Sequence, residues 1–305
     1  MSLLDMLVAR SLPLVPKPIV RRVAWRYIAG TTLDDAVGIV HHLARRGATA
    51  TIDALGEFVE NAKQAEQETQ QAIATLDAIA ANNLPAYLSV KLTSIGLSLD
   101  HRLAEQNLRY ILDRARLLGL FVRLDMENSP YTTPTLELYR TMRESGYDNI
   151  GVVIQAYLYR SEHDVRQLAP YQADIRLCKG IYNEDPSLAI KDREGIRANY
   201  RALLRLIVEL GMSVRIATHD DVLIADAEQL IAERQLERDR YEFQMLLGVR
   251  EQKRDELIRC GYPVRIYVPY GEDWYGYSLR RLKENPQVAG HVFRALFRYD
   301  GFSRR

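Results

Sequence analysis

Eight short runs rich in β-branched and apolar residues recur along the chain, each bounded by turn residues. They are 48–55 (ATATIDAL), 87–92 (YLSVKL), 120–126 (LFVRLDM), 150–157 (IGVVIQAY), 173–180 (ADIRLCKG), 213–220 (SVRIATHD), 241–247 (YEFQMLL) and 264–271 (VRIYVPYG). Between them lie stretches with apolar residues at helical spacing, as in 58–81, 101–118, 187–210 and 222–238. Gly47, Gly119, Gly146 and Gly211 each stand shortly before a strand run. A helix C-terminus there would want a left-handed residue. Strand alternating with helix calls for a parallel sheet. Eight such units in roughly 250 residues predict an α/β fold, a (β/α)8 barrel. A doubly wound sheet is the alternative. Neither GxGxxG nor GxxxxGK[ST] occurs, so the usual dinucleotide and nucleotide turns lose support.

The domain reading follows: a helical segment over 1–45, the barrel over 46–290 and a basic aromatic tail over 291–305. No Pro/Gly/Ser linker divides the chain. Its 305 residues are 47% hydrophobic, ample for a large core. The net charge of +1 gives no global attraction to nucleic acid. Two cysteines, Cys178 and Cys260, supply neither a disulfide framework nor zinc spacing, which suits a cytoplasmic setting. No apolar run is long enough to span a bilayer. Both ends are basic and aromatic, with Arg10, Lys17, Arg21, Arg22, Trp25 and Arg26 at the start and HVFRALFRYDGFSRR at the finish. They suit either docking helices or peripheral attachment to an anionic membrane surface.

Barrel chemistry lies at the C-terminal ends of the strands. Those ends carry Asp53 and Glu57, Lys91, Asp125 and Glu127, Gln155, Arg176 and Lys179, then Thr218, His219 and Asp220, Gln244, and Tyr267. Buried charges need partners; Lys91 is expected to pair with Asp125. Lysine is scarce, seven residues against thirty-four arginines. Lys91 and Lys179 therefore also raise the possibility of a Schiff-base lyase or aldolase. His219 reads as a hydrogen-bonded core residue or a ligand, and Cys178 as a small core residue. A non-catalytic ligand-binding or regulatory protein is a third reading.

The stretch YSLRRLKENP, 277–286, has its own pattern. At about 100° per residue, Tyr277, Arg280, Arg281 and Glu284 share roughly a third of a helix circumference. The stripe is either a solvated face with an Arg280–Glu284 pair or an anion clamp built on planar guanidinium forks.

Taken in order, VKLTSIG, RLDMEN, VVIQAYLYR, RLCKGIY, ATHD, EFQMLLG, RIYVPYG and YSLRRLKENP resemble the proline dehydrogenase family over about residues 30–290. The resemblance implies a distorted TIM-like barrel that binds FAD at its mouth, with the last helix over the barrel top. It implies oxidation of L-proline to Δ1-pyrroline-5-carboxylate, with electrons passed to a quinone. It places Arg280, Arg281 and Lys91 on the substrate carboxylate, Leu246, Tyr267 and Tyr277 around the ring, and Glu57 as a gate paired with Arg280. Asp125 and Arg176 are the expected catalytic residues. Asp125 is expected to keep Lys91 charged and is the candidate general base. The expected cofactor contacts are Met126, Gln155, Arg176, Lys179, Gly180, Ile181, Thr218, His219 and Glu284, the last orienting an arginine. No metal is expected. The product would pass to a separate pyrroline-5-carboxylate dehydrogenase. The location implied is cytoplasmic, peripheral on the inner face of the cell membrane.

Overall fold

The computed structural model describes residues 25–56 and 58–278. Eight parallel strands close into a barrel in chain order. They are β1 (Thr49–Ala54), β2 (Ala86–Val90), β3 (Val122–Leu124), β4 (Ile150–Gln155), β5 (Asp174–Cys178), β6 (Ser213–Ala217), β7 (Tyr241–Leu246) and β8 (Val264–Tyr270). Closure is made by β1, which pairs with β2 through Ile52 opposite Leu88 and with β8 through Ile52 opposite Val268. A helix follows each of β1 to β7, and a helical turn at 274–278 follows β8. The predicted (β/α)8 barrel is therefore the fold.

The helices start where side chains satisfy the free N–H groups of a first turn. Thr32 and Asp35 form a capping box ahead of Leu33–Arg45. Asn61, Asp100, Asp192 and Asp220 cap the helices that begin at Ala62, His101, Arg193 and Asp221. Two caps shorten the expected helices. Residues 58–61 and 187–192 are not helical, because Asn61 accepts from the Gln64 N–H at 3.0 Å and Asp192 from the Gly195 N–H at 2.6 Å. The helix expected over 222–238 ends at Arg234, where Gln235 turns left-handed at φ +48°. Gly47, Gly119, Gly146 and Gly211 take φ of +83°, +67°, +82° and +76°, as their places before the strands predicted. Leu33–Arg45 packs on β1 and β8 through Ala36, Val40 and Leu43. Just ahead of it, the Ala29 N–H donates to the Pro269 carbonyl at 2.8 Å.

Strand alternation sends one set of side chains onto the helices and the other into the barrel. Ile52, Leu88, Leu124, Ile154, Leu177, Ile216, Phe243 and Val268 belong to one buried cluster that includes helix residues such as Leu76, Leu108 and Leu204. The inward set is polar. It bonds between strands that are not neighbours, which only the lumen permits: Gln244 of β7 to Tyr87 of β2 at 2.7 Å, and Tyr267 of β8 to Asp125 beyond β3 at 3.0 Å. Barrels of this class usually fill with branched apolar residues; this one fills with arginines and carboxylates. Gly151 is required by that filling, since a Cβ there would lie 2.3 Å from Nη1 of Arg123.

The expected site residues Glu57, Arg280, Arg281 and Glu284 lie outside the described residues, as do the rest of the expected last helix, the chain before Trp25 and the basic C-terminal segment. Among the described residues, no helix is long and apolar enough to cross a membrane.

Candidate active site at the barrel mouth

A cavity of about 560 Å³ opens at the C-terminal ends of the strands. Its wall brings together most of the expected site: Lys91 after β2, Asp125 and Met126 after β3, Gln155 at the end of β4, and Arg176, Lys179, Gly180 and Ile181 in and after β5. Thr218 and His219 after β6, Leu246 of β7, Tyr267 of β8 and Tyr277 complete it. All but Tyr277, which the helical turn at 274–278 supplies, lie where side chains alternate inward or where a strand gives way to its loop, so barrel closure makes them converge.

Two buried ion pairs set the electrostatics. Lys91 Nζ donates to both oxygens of Asp53, each at 2.8 Å, and the Asp53 side chain is 1% exposed. The expected Lys91–Asp125 pair is not formed. Asp53 sits on β1, beside β2 in the closed sheet, and reaches Lys91 first. Burial pushes the Asp53 carboxyl up, while the ammonium beside it opposes the shift. Asp125 instead accepts from Arg176 Nη1 at 2.5 Å and from the Tyr267 hydroxyl at 3.0 Å. With both oxygens engaged, Asp125 anchors the two side chains that hold it.

Arg176 is pinned twice, by Asp125 and by Gln244, whose Oε1 accepts from Nε at 2.7 Å. Burial would lower its pKa, but the Asp125 carboxylate raises it on balance, so the charge is permanent. Its Nη2 is buried without a hydrogen-bond partner. The residue lines the cavity, while this nitrogen is itself shielded from solvent. Burial, with Asp125 and Asp53 close by, pushes the Tyr267 phenol well above its usual range, so it stays a neutral donor.

The rim is braced from outside. Asp220 binds Lys179 at 3.3 Å and Arg197 at 2.8 Å, and caps the helix after β6. Burial alone would raise its carboxyl; the bonds from Arg197 and Lys179 bring it down to about 2. Both candidate Schiff-base lysines are thus ion-paired, which opposes the lyase reading. His219 Nε2 accepts the Leu246 N–H at 3.0 Å, tying β6 to β7. Gln155 Nε2 donates to the Glu127 carbonyl at 2.8 Å, and Thr218 Oγ1 accepts the Asp220 N–H at 3.2 Å. At Gly180 (φ +106°) the close approach that the structure shows is to Tyr157, whose Cδ1 would be 2.0 Å from a Cβ. The glycine therefore serves packing of the loop after β5.

Sequence reasoning counted Asp53 and Gln244 among the polar strand ends but gave neither a partner, and did not single out Tyr87. The inward parity of their strands was the available signal. Among the described residues, no group of three or more His, Cys, Asp or Glu could hold a metal ion.

Residues 36–294 match the proline dehydrogenase family. The chain is 40% identical to proline dehydrogenase 1 of Bacillus subtilis strain 168 over 90% of its length and 91% of that protein. It is 35% identical to the proline dehydrogenase of Deinococcus radiodurans, over 90% of each chain. Proline utilization A from Bdellovibrio bacteriovorus superposes with a TM-score of 0.81 at 24% identity, over 87% of this chain and 33% of that longer one. This last likeness speaks for the fold. With a matched domain spanning nearly the whole barrel, the chain belongs to the proline dehydrogenase family of oxidoreductases.

Proposed function

We propose that the mouth binds L-proline beside FAD and that the chain oxidises proline to Δ1-pyrroline-5-carboxylate. FAD, when bound, accepts the hydride from proline C5 at its N5 and passes the electrons to a quinone. The observation that carries this reading is the convergence at one cavity of Lys91 and the Asp125–Arg176–Tyr267 triad. The lining fits a flavin: a permanent cation, Arg176, with Gln155 and Met126 on the same wall.

Proline is a small apolar ring with one carboxylate. Leu246, Tyr267 and Tyr277 offer the ring a wall, and Lys91 an ammonium. We assign the carboxylate to Arg280 and Arg281 together with Lys91, and the gate to Glu57, on the sequence resemblance. Lys179, Gly180, Ile181, Thr218 and His219 would meet the rest of the cofactor, with Glu284 orienting an arginine. The amine must be neutral at transfer, so activity should rise with pH. The quinone, attachment through the basic ends to the inner face of the membrane, and a separate pyrroline-5-carboxylate dehydrogenase as consumer of the product complete the proposal.

An absorbance spectrum tests it. The purified protein should be yellow and should bleach on anaerobic addition of L-proline. A colourless protein trapped by borohydride with a carbonyl substrate would replace this reading with the lyase. Arg281→Met should raise the KM for proline by orders of magnitude with flavin retained; an unchanged KM removes the clamp.

A further inference from the structure

Gln244 lies in β7, below the cavity rim, and is buried. A primary amide has one acceptor oxygen and two donor hydrogens. Here all are used. Oε1 accepts from Arg176 Nε at 2.7 Å; Nε2 donates to the Tyr87 hydroxyl at 2.7 Å and to Glu242 Oε1 at 2.8 Å. Only one orientation of the amide satisfies this set, because a carboxylate needs a donor and a guanidinium needs an acceptor. The anchors are themselves held. Arg265 Nε donates to the same Glu242 oxygen at 2.8 Å, Nη1 donates to the Ala50 carbonyl at 2.6 Å, and the guanidinium lies 3.9 Å over the Tyr87 ring.

A chain of bonds thus runs from the barrel floor to Arg176. We infer that Gln244 is a positioning residue for the oxidation, fixing the place of the Arg176 guanidinium in the cavity wall. The inference rests on the function proposed above. Neutrality matters as much as shape. A carboxylate at position 244 would give Arg176 a second counter-ion and cancel the charge it offers a ligand. An amide fixes the guanidinium without neutralising it. The Tyr87 phenol reports the same field. Burial alone would raise its pKa, yet Arg123, Arg176 and Arg265 together hold it below the usual range. At Tyr87 the guanidinium groups prevail, and Gln244, bonded to that hydroxyl, meets them without adding charge.

The test uses the full-length holoprotein. Gln244→Met keeps length and volume but removes the acceptor and both donors. Arg176 would then be held by Asp125 alone. Flavin should remain bound and the KM for proline should change less than threefold, while kcat falls at least tenfold. The equilibrium between oxidised and reduced flavin, read against a redox dye, should shift about tenfold toward the oxidised form. Loss of a fixed guanidinium in the cavity wall withdraws support for added negative charge. Tyr87→Phe removes one anchor of the amide and keeps the ring under Arg265. It should move both readouts the same way by two- to fivefold, and it decides the matter if Gln244→Met fails to fold. An unchanged kcat and dye equilibrium in the folded variant overturns the assignment alone. Failure of L-proline to bleach the unsubstituted protein overturns the functional reading and the assignment with it.

Discussion

The floor and the mouth of the barrel are built from the same residue types, and they use them differently. At the floor, Arg123 is fully buried and donates to the carbonyls of Val152 and Asp174 as well as to the Asp174 carboxylate. Arg215 joins Asp174 to the Asp239 carbonyl, and Arg265 joins Glu242 to the Ala50 carbonyl. Each of these guanidinium groups bonds at least one backbone carbonyl as well as a carboxylate. At the mouth, Arg176 and Lys91 touch side chains: Asp125 and Gln244 for the first, Asp53 for the second. What accepts the bond separates a cation that holds the sheet together from one available to a ligand.

The largest expected effect lies at the floor. Arg123→Met leaves Asp174 with one partner and strands two carbonyls, in a pocket that Gly151 and Phe121 shape around a guanidinium. Removing one member of a buried pair costs about 3–5 kcal/mol, a large part of a domain's stability. Urea unfolding should show that loss, with kcat per folded molecule nearly intact. A stable variant with lost activity would erase the distinction between the two ends.

The reverse is expected of Arg176→Met. Activity should fall by about a hundredfold or more, comparable with losing one preorganised donor. Stability should fall less than for Arg123→Met, because Tyr267 still donates to Asp125 and no carbonyl is deprived. Equal unfolding midpoints for the two variants would count against the comparison.

A smaller effect should appear with acid. Burial alone would raise the Asp174 carboxyl, but Arg123 and Arg215 bring it down to about 2. Its unfolded value is near about 4. A depressed folded pKa contributes stability above the unfolded value and loses it as pH falls through the folded one. The contribution, on the order of 2 kcal/mol, should therefore be full above about pH 4 and fade toward pH 2. Asp174→Asn should be less stable at neutral pH and should show a flatter dependence in that window. An unaltered slope in urea midpoints across it would show that the floor pairs do not carry acid stability.

The barrel was legible because β-branched runs, helical spacing and four left-handed glycines all point to one repeat. The location of the site was legible too, since polar residues at strand ends have few structural reasons to be there. The pairing was not. Lys91 was assigned to Asp125, yet which strand ends meet depends on closure and stagger, and these put Asp53 of β1 against Lys91. Gln244 was noted only as a polar strand end and Tyr87 not at all, because what joins them is a contact across the lumen between β7 and β2. The starts of two helices were overrun because Asn61 and Asp192 read as helix interior until their side chains are seen to cap.

The smallest expected effect concerns a group on the mouth wall that has no chemistry. Cys178 ends β5, two residues beyond Arg176, and lines the cavity. Burial pushes its thiol up to about 12, more than the nearby guanidinium can offset, and Sγ lies 3.6 Å from the Ile154 carbonyl. The thiolate is the reactive form. At pH 8 a thiol of that kind is ionised in about one molecule in ten thousand. Iodoacetamide should therefore label exposed Cys260 and leave Cys178 unmodified over the same interval. Peptide mass spectrometry reads the two sites separately. Faster labelling at Cys178 would mean that Arg176 extends its field to the thiol, and that proximity to the mouth cation, more than burial, decides which groups there are reactive.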